Sequence, residues 1–495
     1  MTTVDSSTAS ESADVPPADP RRWWALALLS GLSFMILLDM TIVNVALPLI
    51  QEGLDFSESG LTWVVNGYVL TAGGLLLLGG RLADVFGRRR LLLTGVVVFA
   101  VSSVVCGAAV APWMMVAGRF GQGAAEAIAA PASLGLIALL FTDPKERTKA
   151  LGIWGGLVAV GGTLGYVISG VLTDLTSWRW IFFINVPVAL VVFLLLPRMV
   201  GESRMVREED HRLDVTGAIT STAGLIAIVY GLLQAAEHPW GSATVLLPLL
   251  AGVCLLLAML VVERRAKNPL VPLEFFANRT RSVINVASLF FMAAFISYTF
   301  MLTLFEQHVL RYSTLQTGLA YLPLAFGIGA GIGIGTALTP RLGVRAVTAA
   351  GFIGAGVGLL LTSMVDTDTS YVGGILPGMI VFGVFAGATM PAATTAALHG
   401  VTVQDSGLAS GVQTTMQQVG GALGLAVLVT LALRYADDEM ERGVPAEVAV
   451  TSGYVLAFRI GAALMILGGV LIMTLFERVN PELRDPTAEI VEETR

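Results

Sequence analysis

Long apolar runs separated by short polar segments repeat along almost the whole chain after residue 20. Most are near the twenty residues or so that an α-helix needs to cross about 30 Å of hydrocarbon. Strands are not expected, because membrane barrels alternate polar and apolar residues over about ten positions. The fourteen runs lie near 23–49, 60–80, 90–110, 113–141, 149–173, 178–197, 213–235, 243–262, 282–305, 317–339, 345–364, 371–397, 408–433 and 453–476.

Positive charge is concentrated in every second polar segment between the runs, and these segments would lie on the same side of the membrane. With residue 1 placed inside the cell, 23 of the 29 Lys and Arg residues fall in inner segments and four in outer loops. Because positively charged loops stay cytoplasmic, both termini are predicted inside, in the cytoplasmic membrane of a bacterium. The four outer residues are Arg179, Arg311, Arg434 and Arg442.

Composition agrees with a membrane protein, since 55% of the residues are hydrophobic and only 13% are charged. Soluble domains carry nearer a quarter charged residues. Residues 1–20 are polar and predicted to be disordered, without a signal peptide. Cys106 and Cys254 lie inside apolar runs and are read as small core residues.

Weak internal echoes recur at a nearly constant spacing. The segment "VGGTLG" at 160–165 returns as "VGGALG" at 419–424, and "AAPAS" at 129–133 resembles "TMPAA" at 389–393. Both copies start on the same side of the membrane, which predicts two parallel six-helix repeats around a central cavity. Two further helices are inserted between the repeats.

Six motifs resemble those of the major facilitator superfamily, in its fourteen-helix drug:proton antiporter branch. "GRLADVFGRRR" at 80–90 resembles the superfamily's cytoplasmic loop signature. The others are "LDMTIVNVALP" at 38–48, "GRFGQGAAEAIAAPAS" at 118–133, "WRWIFFINVPV" at 178–188, "NPLVPLEFF" at 268–276 and "GLASGVQTTMQQVGGALG" at 407–424. The resemblance implies an all-α membrane transporter that couples export to proton entry.

This organisation predicts five regions along the chain. They are a cytoplasmic tail (1–20), a six-helix bundle (21–198), two linker helices with flanking loops (199–280), a second six-helix bundle (281–478) and a cytoplasmic tail (479–495).

The charged loop is predicted to act as a gate on the cytoplasmic side. Gly80 would permit a close helix approach, and Asp84 would pair with an arginine or a helix amino end. The alternative is a basic turn that only sets topology. The loop residues are Gly80, Asp84, Gly87, Arg88 and Arg89.

Three acids inside or beside apolar runs are candidates for proton coupling: Asp39, Glu126 and Glu306. A lone carboxylate in a membrane is costly, so each should pair or bind a proton. For Asp39 the alternative is a structural hydrogen bond. For Glu306, near the outer end of its run, it is interfacial solvation.

Two arginines inside the membrane complete the set of charges. Arg119, Gln122 and Glu126 share one face of the fourth helix, so Glu126 either pairs with Arg119 or faces the cavity and binds a cation or proton. Arg459 is expected to contact a carboxylate or carbonyl groups as a structural or coupling residue.

Further polar and aromatic residues are candidates for the substrate cavity, with packing as the alternative for each aromatic ring. They are Asn44, Trp63, Gln122, Glu126, Trp154, Tyr166, Phe291, Phe295, Tyr298, Gln413 and Gln417.

The fifth helix departs from the antiporter motif, because "GTLGYVISG" has Tyr166 where the family has proline. The motif glycines Gly161, Gly165 and Gly170 remain. Either these glycines supply the helix bend alone, in which case Tyr166→Pro should be tolerated, or Tyr166 contacts substrate and alters coupling.

Together these features predict a proton-driven exporter of lipophilic, cationic drugs or antibiotics. One alternative is a dedicated exporter of a single metabolite, siderophore or lipid, and another is a proton channel or sensor without turnover. No phosphate loop, zinc spacing or nucleophile motif is found, so no enzyme activity, metal or cofactor is expected. The expected partners are a small molecule, protons and lipid, with no nucleic acid, and the expected state is a monomer.

Overall fold

The computed structural model describes residues 21–141, 143–202, 215–265, 273–399, 401 and 406–476. Within these ranges every regular element is helical. The two predicted tails lie almost wholly outside the described residues.

The first half of the chain forms six spans. These are α1 (Arg22–Leu54), α2 (Glu58–Phe86), α3 (Arg88–Gly107), α4 (Pro112–Leu140), α5 (Pro144–Leu175) and a sixth span made of α6 (Trp180–Phe183) and α7 (Asn185–Met199).

Two linker spans and six further spans follow. The linker spans are α8 (Val215–Glu237) and α9 (Ala243–Arg265). The second half contains α10 (Arg279–Leu304) with a π-helical turn at Phe305–Val309, α11 (Thr314–Ala320) continued by α12 (Leu322–Leu342), α13 (Val344–Thr362), α14 (Leu376–Ala397) preceded by a π-helical turn at Tyr371–Ile375, α15 (Ser406–Glu441) and α16 (Ala446–Leu475).

Thirteen of these spans are long and apolar enough to cross a membrane in their described residues. The remaining helix, α5, is 32 residues long and has an apolar segment at Leu164–Leu175. The predicted fourteen-helix membrane fold is therefore confirmed. The main difference lies at α15, which continues to Glu441 and shortens the loop predicted to hold Arg434 and Arg442.

The same packing pattern occurs in both halves. In the first half α4 packs on α2 and α3, while α1 packs on α5 and α7. In the second half α14 packs on α12 and α13, while α10 packs on α15 and α16. The predicted parallel repeat is thus present in the helix packing.

Glycines from the repeated sequence echo make equivalent contacts. A Cβ on Gly165 would lie 1.9 Å from Thr41 Oγ1 on α1, and one on Gly161 would lie 2.8 Å from the Phe34 carbonyl oxygen. In the second half, a Cβ on Gly420 would lie 2.3 Å from the Leu289 carbonyl oxygen on α10. Both copies therefore use glycine for close helix approach.

The helices run up and down between two faces of the molecule. We call the face that contains residues 21, 87, 200 and 343 the proximal face. The opposite face, with residues 55–57, 108–111, 176–179 and 310–313, is called the distal face.

The linker spans lie outside the two halves. Helix α8 packs on α2 and α15, and α9 packs on α8. On the distal side, Arg434 of α15 donates hydrogen bonds to the carbonyl groups of Ala235 and His238 at the end of α8. Cys106 is buried as predicted, whereas Cys254 is exposed on α9 and is not a core residue.

Candidate transport site

The centre of the first half contains a buried ion pair between two helices. Arg119 of α4 donates a hydrogen bond of 2.6 Å from Nη1 to Oδ2 of Asp39 on α1. The two side chains are only 2% and 0% exposed. Of the expectations from sequence that the Asp39 carboxylate either pairs or binds a proton, the structure shows the pairing, with Arg119.

Polar side chains from three more positions complete this network. Gln122 donates to Asp39 Oδ1 at 3.0 Å and accepts from Arg119 at 2.7 Å. Asn185, at the start of α7, donates to the same Asp39 oxygen at 2.6 Å, and Ser103 accepts from Gln122 at 2.9 Å. The network therefore joins α1, α3, α4 and α7 inside one half.

Ser103 and Asn185 were not predicted as members of this network. Asn185 stands inside the quoted motif "WRWIFFINVPV", where an amide within an apolar run was the available signal.

The remaining bonding capacity of Arg119 is used on α2. Its Nε donates to the Val64 carbonyl oxygen at 2.7 Å, and its guanidinium lies 4.4 Å from the centre of the Tyr68 ring. A cation over an aromatic face is stabilised by the ring quadrupole. The alternative in which Arg119 pairs with Glu126 is therefore wrong in this structure.

Glu126 lies two helical turns beyond Arg119 on α4 and is partly exposed. Its buried Oε2 atom and the buried hydroxyl of Tyr68 interact with each other, although the contact does not have the geometry of a regular hydrogen bond. Among the described residues, Glu126 thus has no ion-pair partner, although it lies close to the Asp39–Arg119 network.

The distal side of the molecule is closed by contacts between the two halves. The ring of Tyr166 on α5 stacks on that of Tyr321, between α11 and α12, with centroids 4.4 Å apart and planes 7° apart. Tyr166 is buried, so in this structure it contacts the opposite half rather than an open cavity.

Close backbone approach continues this contact toward the distal face. A Cβ on Gly170 would lie 2.7 Å from Leu315 Cα, and one on Gly318 would lie 2.4 Å from the Tyr166 carbonyl oxygen. Asp174 accepts hydrogen bonds from Leu315 N at 3.3 Å and Ser313 Oγ at 3.4 Å. We call the contact between residues 166–174 and 313–321 the distal gate.

Ser169, in the segment "GTLGYVISG", also has a structural contact. Ser169 is buried and donates to the Ile42 carbonyl oxygen of α1 at 2.5 Å. Helix α5 is thereby attached to α1 by glycine packing and by this hydrogen bond.

Glu306 lies in the π-helical turn that follows α10 and is 0% exposed. Both of its carboxylate oxygens lack hydrogen-bond partners. Interfacial solvation of Glu306 is therefore wrong, because the π-helical turn keeps this residue inside the protein.

Two of the predicted cavity aromatics instead belong to the core of the second half. Phe291 packs edge-on against Phe352 at 5.6 Å, and Tyr298 packs against Phe382 and Phe458. Both are buried, which corrects their assignment to the cavity. Phe295 is partly exposed and stacks on Phe291.

The two predicted tryptophans, Trp63 and Trp154, have different environments. Trp63 lines a separate distal cavity of about 620 Å³ between α2, α4 and α8, together with Trp113, Phe120 and Tyr230. Trp154 donates to Ser33 Oγ at 2.9 Å within the first half. Trp63 is therefore not a residue of the central cavity.

The other predicted cavity residues have mixed environments. Asn44 donates to the Met40 carbonyl oxygen of its own helix at 3.1 Å. Gln413 is nearly buried, whereas Gln417 is partly exposed. Arg459 is exposed and has no ion-pair or hydrogen-bond partner among the described residues, contrary to the expected structural contact.

The arginines of the charged loop contact their own half. Arg88 donates to the Gly135 carbonyl oxygen at 3.0 Å, and Arg89 to that of Val200 at 3.0 Å. The side chain of Asp84 lies outside the described residues, so its gating role stays a prediction. Gly87 has a φ of 103°, a conformation that favours glycine.

The predicted close approach at Gly80 occurs one residue earlier. A Cβ on Gly80 would make only an ordinary contact of 3.7 Å with Pro131, whereas one on Gly79 would lie 2.0 Å from the Ala127 carbonyl oxygen. Gly79, on the neighbouring face of α2, is thus the residue that permits α2 and α4 to pack closely.

Curated relatives cover nearly the whole chain. It is 37% identical over 481 residues to the puromycin resistance protein pur8 of Streptomyces alboniger, covering 94% of each chain. It is 38% identical over 445 residues to the cephamycin export protein CmcT of Amycolatopsis lactamdurans, covering 90% of each. It is also 37% identical over 421 residues to the lincomycin resistance protein of Streptomyces lincolnensis, covering 85% of this chain and 86% of the relative.

Solved transporter structures share the fold. An inward-facing, unoccupied bacterial homolog of the human lysosomal transporter Spinster aligns with a TM-score of 0.63 and 16% identity, over 94% of this chain and 100% of the other. The nucleoside transporter NupG aligns with a TM-score of 0.64 and 12% identity, over 92% and 100%.

The family model described as Major Facilitator Superfamily matches residues 29–425, which include nearly all of the first helical repeat, most of the second and the Asp39–Arg119 network. The chain is a multi-pass membrane protein and a transporter rather than an enzyme, and it belongs to the major facilitator superfamily.

Proposed function

We propose that this protein is a proton-driven exporter of lipophilic, preferentially cationic drugs or antibiotics. It would act by alternating access, as a monomer without a cofactor, in the cytoplasmic membrane of a bacterium. The proximal face would be cytoplasmic, because the Lys and Arg residues are concentrated in the segments of that face.

One observation carries the proposed chemistry, namely that the Glu126 carboxylate has no ion-pair partner among the described residues, whereas the nearby Asp39 is paired with Arg119. Arg119 is committed to Asp39, Gln122 and the Val64 carbonyl group, so it does not neutralise Glu126. A carboxylate in surroundings of low dielectric interacts strongly with a cation or takes up a proton. A cationic substrate and a proton would therefore compete for the Glu126 carboxylate.

The relatives support the substrate class, since their names refer to puromycin and lincomycin resistance and to cephamycin export. Each of these names refers to one antibiotic, which also favours a second candidate, the dedicated exporter of a single product. The two candidates differ only in the breadth of the substrate range.

The test uses the purified full-length protein in liposomes with an imposed pH gradient. Puromycin, lincomycin, a cephamycin and a lipophilic cationic dye would each be supplied on the side of the proximal face. We expect transport toward the acidic compartment for several of them, and its loss when a protonophore collapses the gradient. Transport of only one compound would favour the dedicated exporter, and transport unaffected by the protonophore would reject proton coupling.

A further inference from the structure

An acid in the second half has no partner although it is completely enclosed. Glu306 is 0% exposed, and neither of its carboxylate oxygens accepts a hydrogen bond. It lies in a π-helical turn, Phe305–Val309, at the distal end of α10. Such turns are rare and are frequent at functional sites.

The titratable groups around Glu306 are four phenols: Tyr298, Tyr312, Tyr321 and Tyr371. Three of them are engaged elsewhere. Tyr321 donates to the Thr299 carbonyl oxygen at 2.7 Å, Tyr371 donates to that of Ala320 at 2.6 Å, and Tyr298 lies 3.5 Å from Thr362 Oγ1.

Charged groups near the π-helical turn belong to other interactions. His308 follows Glu306 in the chain, and its electrostatic neighbours are Glu52 at the end of α1 and Arg311 in the distal loop. Within the described ranges no Lys, Arg or His side chain, including Arg22 of α1 and Arg459 of α16, lies within ion-pair distance of Glu306. The carboxyl group is therefore enclosed without a counter-ion.

The surroundings of Glu306 also form part of the closed distal side. The next residue, Gln307, donates to the Val45 carbonyl oxygen of α1 at 2.8 Å, across the boundary between the halves. Tyr321, one of the four phenols, stacks on Tyr166 in the distal gate. Separation of the halves on this side would break both contacts and admit water to the pocket of Glu306.

The enclosed position of Glu306 is unfavourable for an ionised carboxylate. An ionised carboxylate without a partner costs several kcal/mol in a membrane interior, whereas the neutral acid avoids most of that cost. The closed gate therefore favours Glu306 with its proton, and the loss of that proton favours the hydrated, open gate. By thermodynamic linkage, closing the gate strengthens proton binding to Glu306 by the same free energy by which proton binding stabilises the closed gate.

We propose that Glu306 is a proton-binding site whose occupancy controls the distal gate. Proton uptake from the distal side would close the gate, and proton release toward the proximal side would favour its opening and the exit of substrate. This inference rests on the proposed proton-driven export and identifies one of its proton sites.

The test measures gate opening directly. Thr314 is buried at the start of α11, so Thr314→Cys in a Cys254→Ala background places one reactive thiol in the gate, while the native Cys106 is fully enclosed. Labelling with a membrane-impermeant maleimide in liposomes is compared between pH 6 and pH 8, after correction for the reactivity of a free thiol. We expect labelling to rise with pH, by up to about tenfold per pH unit for one linked proton.

Two variants remove the titration of Glu306 in different ways. Glu306→Gln and Glu306→Leu should both keep the gate closed and make the corrected labelling independent of pH. Glu447→Gln, which changes an exposed acid on the distal face, should leave the pH dependence unchanged. A pH dependence that persists in both Glu306 variants, or that is missing in the parent, would overturn the inference.

Transport by the same liposomes separates this inference from the proposed function. If the parent exports substrate against a pH gradient but labelling is unaffected by Glu306 variants, the gate inference fails alone. If labelling depends on pH through Glu306 but no pH gradient drives transport, the proposed export function fails alone.

Discussion

Arg119 and Asp39 are 80 positions apart in the chain, yet their side chains form a buried ion pair with an N–O distance of 2.6 Å. Because Gln122 and Asn185 occupy the other Asp39 oxygen, the carboxylate is satisfied from three directions. Such a buried network of hydrogen bonds fixes the relative positions of the helices that contribute to it. Asp39 thus has a structural role whatever part it takes in coupling.

Asp39→Asn should leave the Arg119 charge buried without its counter-ion. Loss of one partner of a buried pair typically costs about 3–5 kcal/mol, so we expect a clearly lower melting temperature and loss of pH-driven export. The double variant Asp39→Asn with Arg119→Gln should recover much of the lost stability but not transport. A double variant whose destabilisation equals the sum of the two single variants would show that the pair is not coupled.

Glu126→Gln should affect substrates according to their charge. Removal of the unpaired carboxylate should raise KM for a cationic dye by at least about tenfold, which corresponds to roughly 1.4 kcal/mol. A neutral lipophilic substrate should change little, as should both substrates in the Glu447→Gln control. Equal losses for cationic and neutral substrates would mean that Glu126 acts in folding or in a general step.

Gly318→Ala should open the distal gate, because its new Cβ would lie 2.4 Å from the Tyr166 carbonyl oxygen. Labelling of Thr314→Cys should then increase several-fold and export should slow. The matched control is Gly329→Ala, where nothing lies within 4 Å of the added atom. A second control is Gly331→Ala, whose added atom meets Val384 in the same half and should lower stability without increasing labelling.

Tyr166 variants should separate the effect of the ring from that of the helix. Tyr166→Phe preserves the stack on Tyr321, worth about 0.5–1.5 kcal/mol, and should export normally. Tyr166→Ala should increase distal labelling. Tyr166→Pro, which the sequence alone suggested would be tolerated, should lose both the stack and a helical hydrogen bond; normal export by this variant would show that the stack is dispensable.

The hydrophobic pattern was sufficient to predict the fold, because each membrane span must form its backbone hydrogen bonds within its own helix. The repeat was also visible, since glycines at equivalent positions make equivalent contacts, as at Gly161 and Gly420. These are local properties of the chain, and they do not depend on knowing which helices are neighbours.

The contacts within the site depend on which helices are neighbours, and the sequence does not show this. Charge in an apolar run identified Asp39 and Arg119, but Glu126 was the nearer acid in sequence and the true partner was on another helix. Ser103 and Asn185 are neutral and resemble packing residues until their contacts are known. For Glu306, a candidate for proton coupling, interfacial solvation stayed open as the alternative, because hydropathy does not reveal that a π-helical turn prolongs α10.

The length of α15 has a mechanical consequence. Its 36 residues form one helix of about 54 Å, longer than the hydrocarbon thickness of a bilayer. Leu77 of α2 packs near Gly411 in its proximal part, and Arg434 near its distal end is bonded to α8. A tilt of α15 would therefore displace its two ends in opposite directions and would move the linker helices α8 and α9 with it. Motion of the second half would in this way change the position of α8 and α9 in the surrounding lipid.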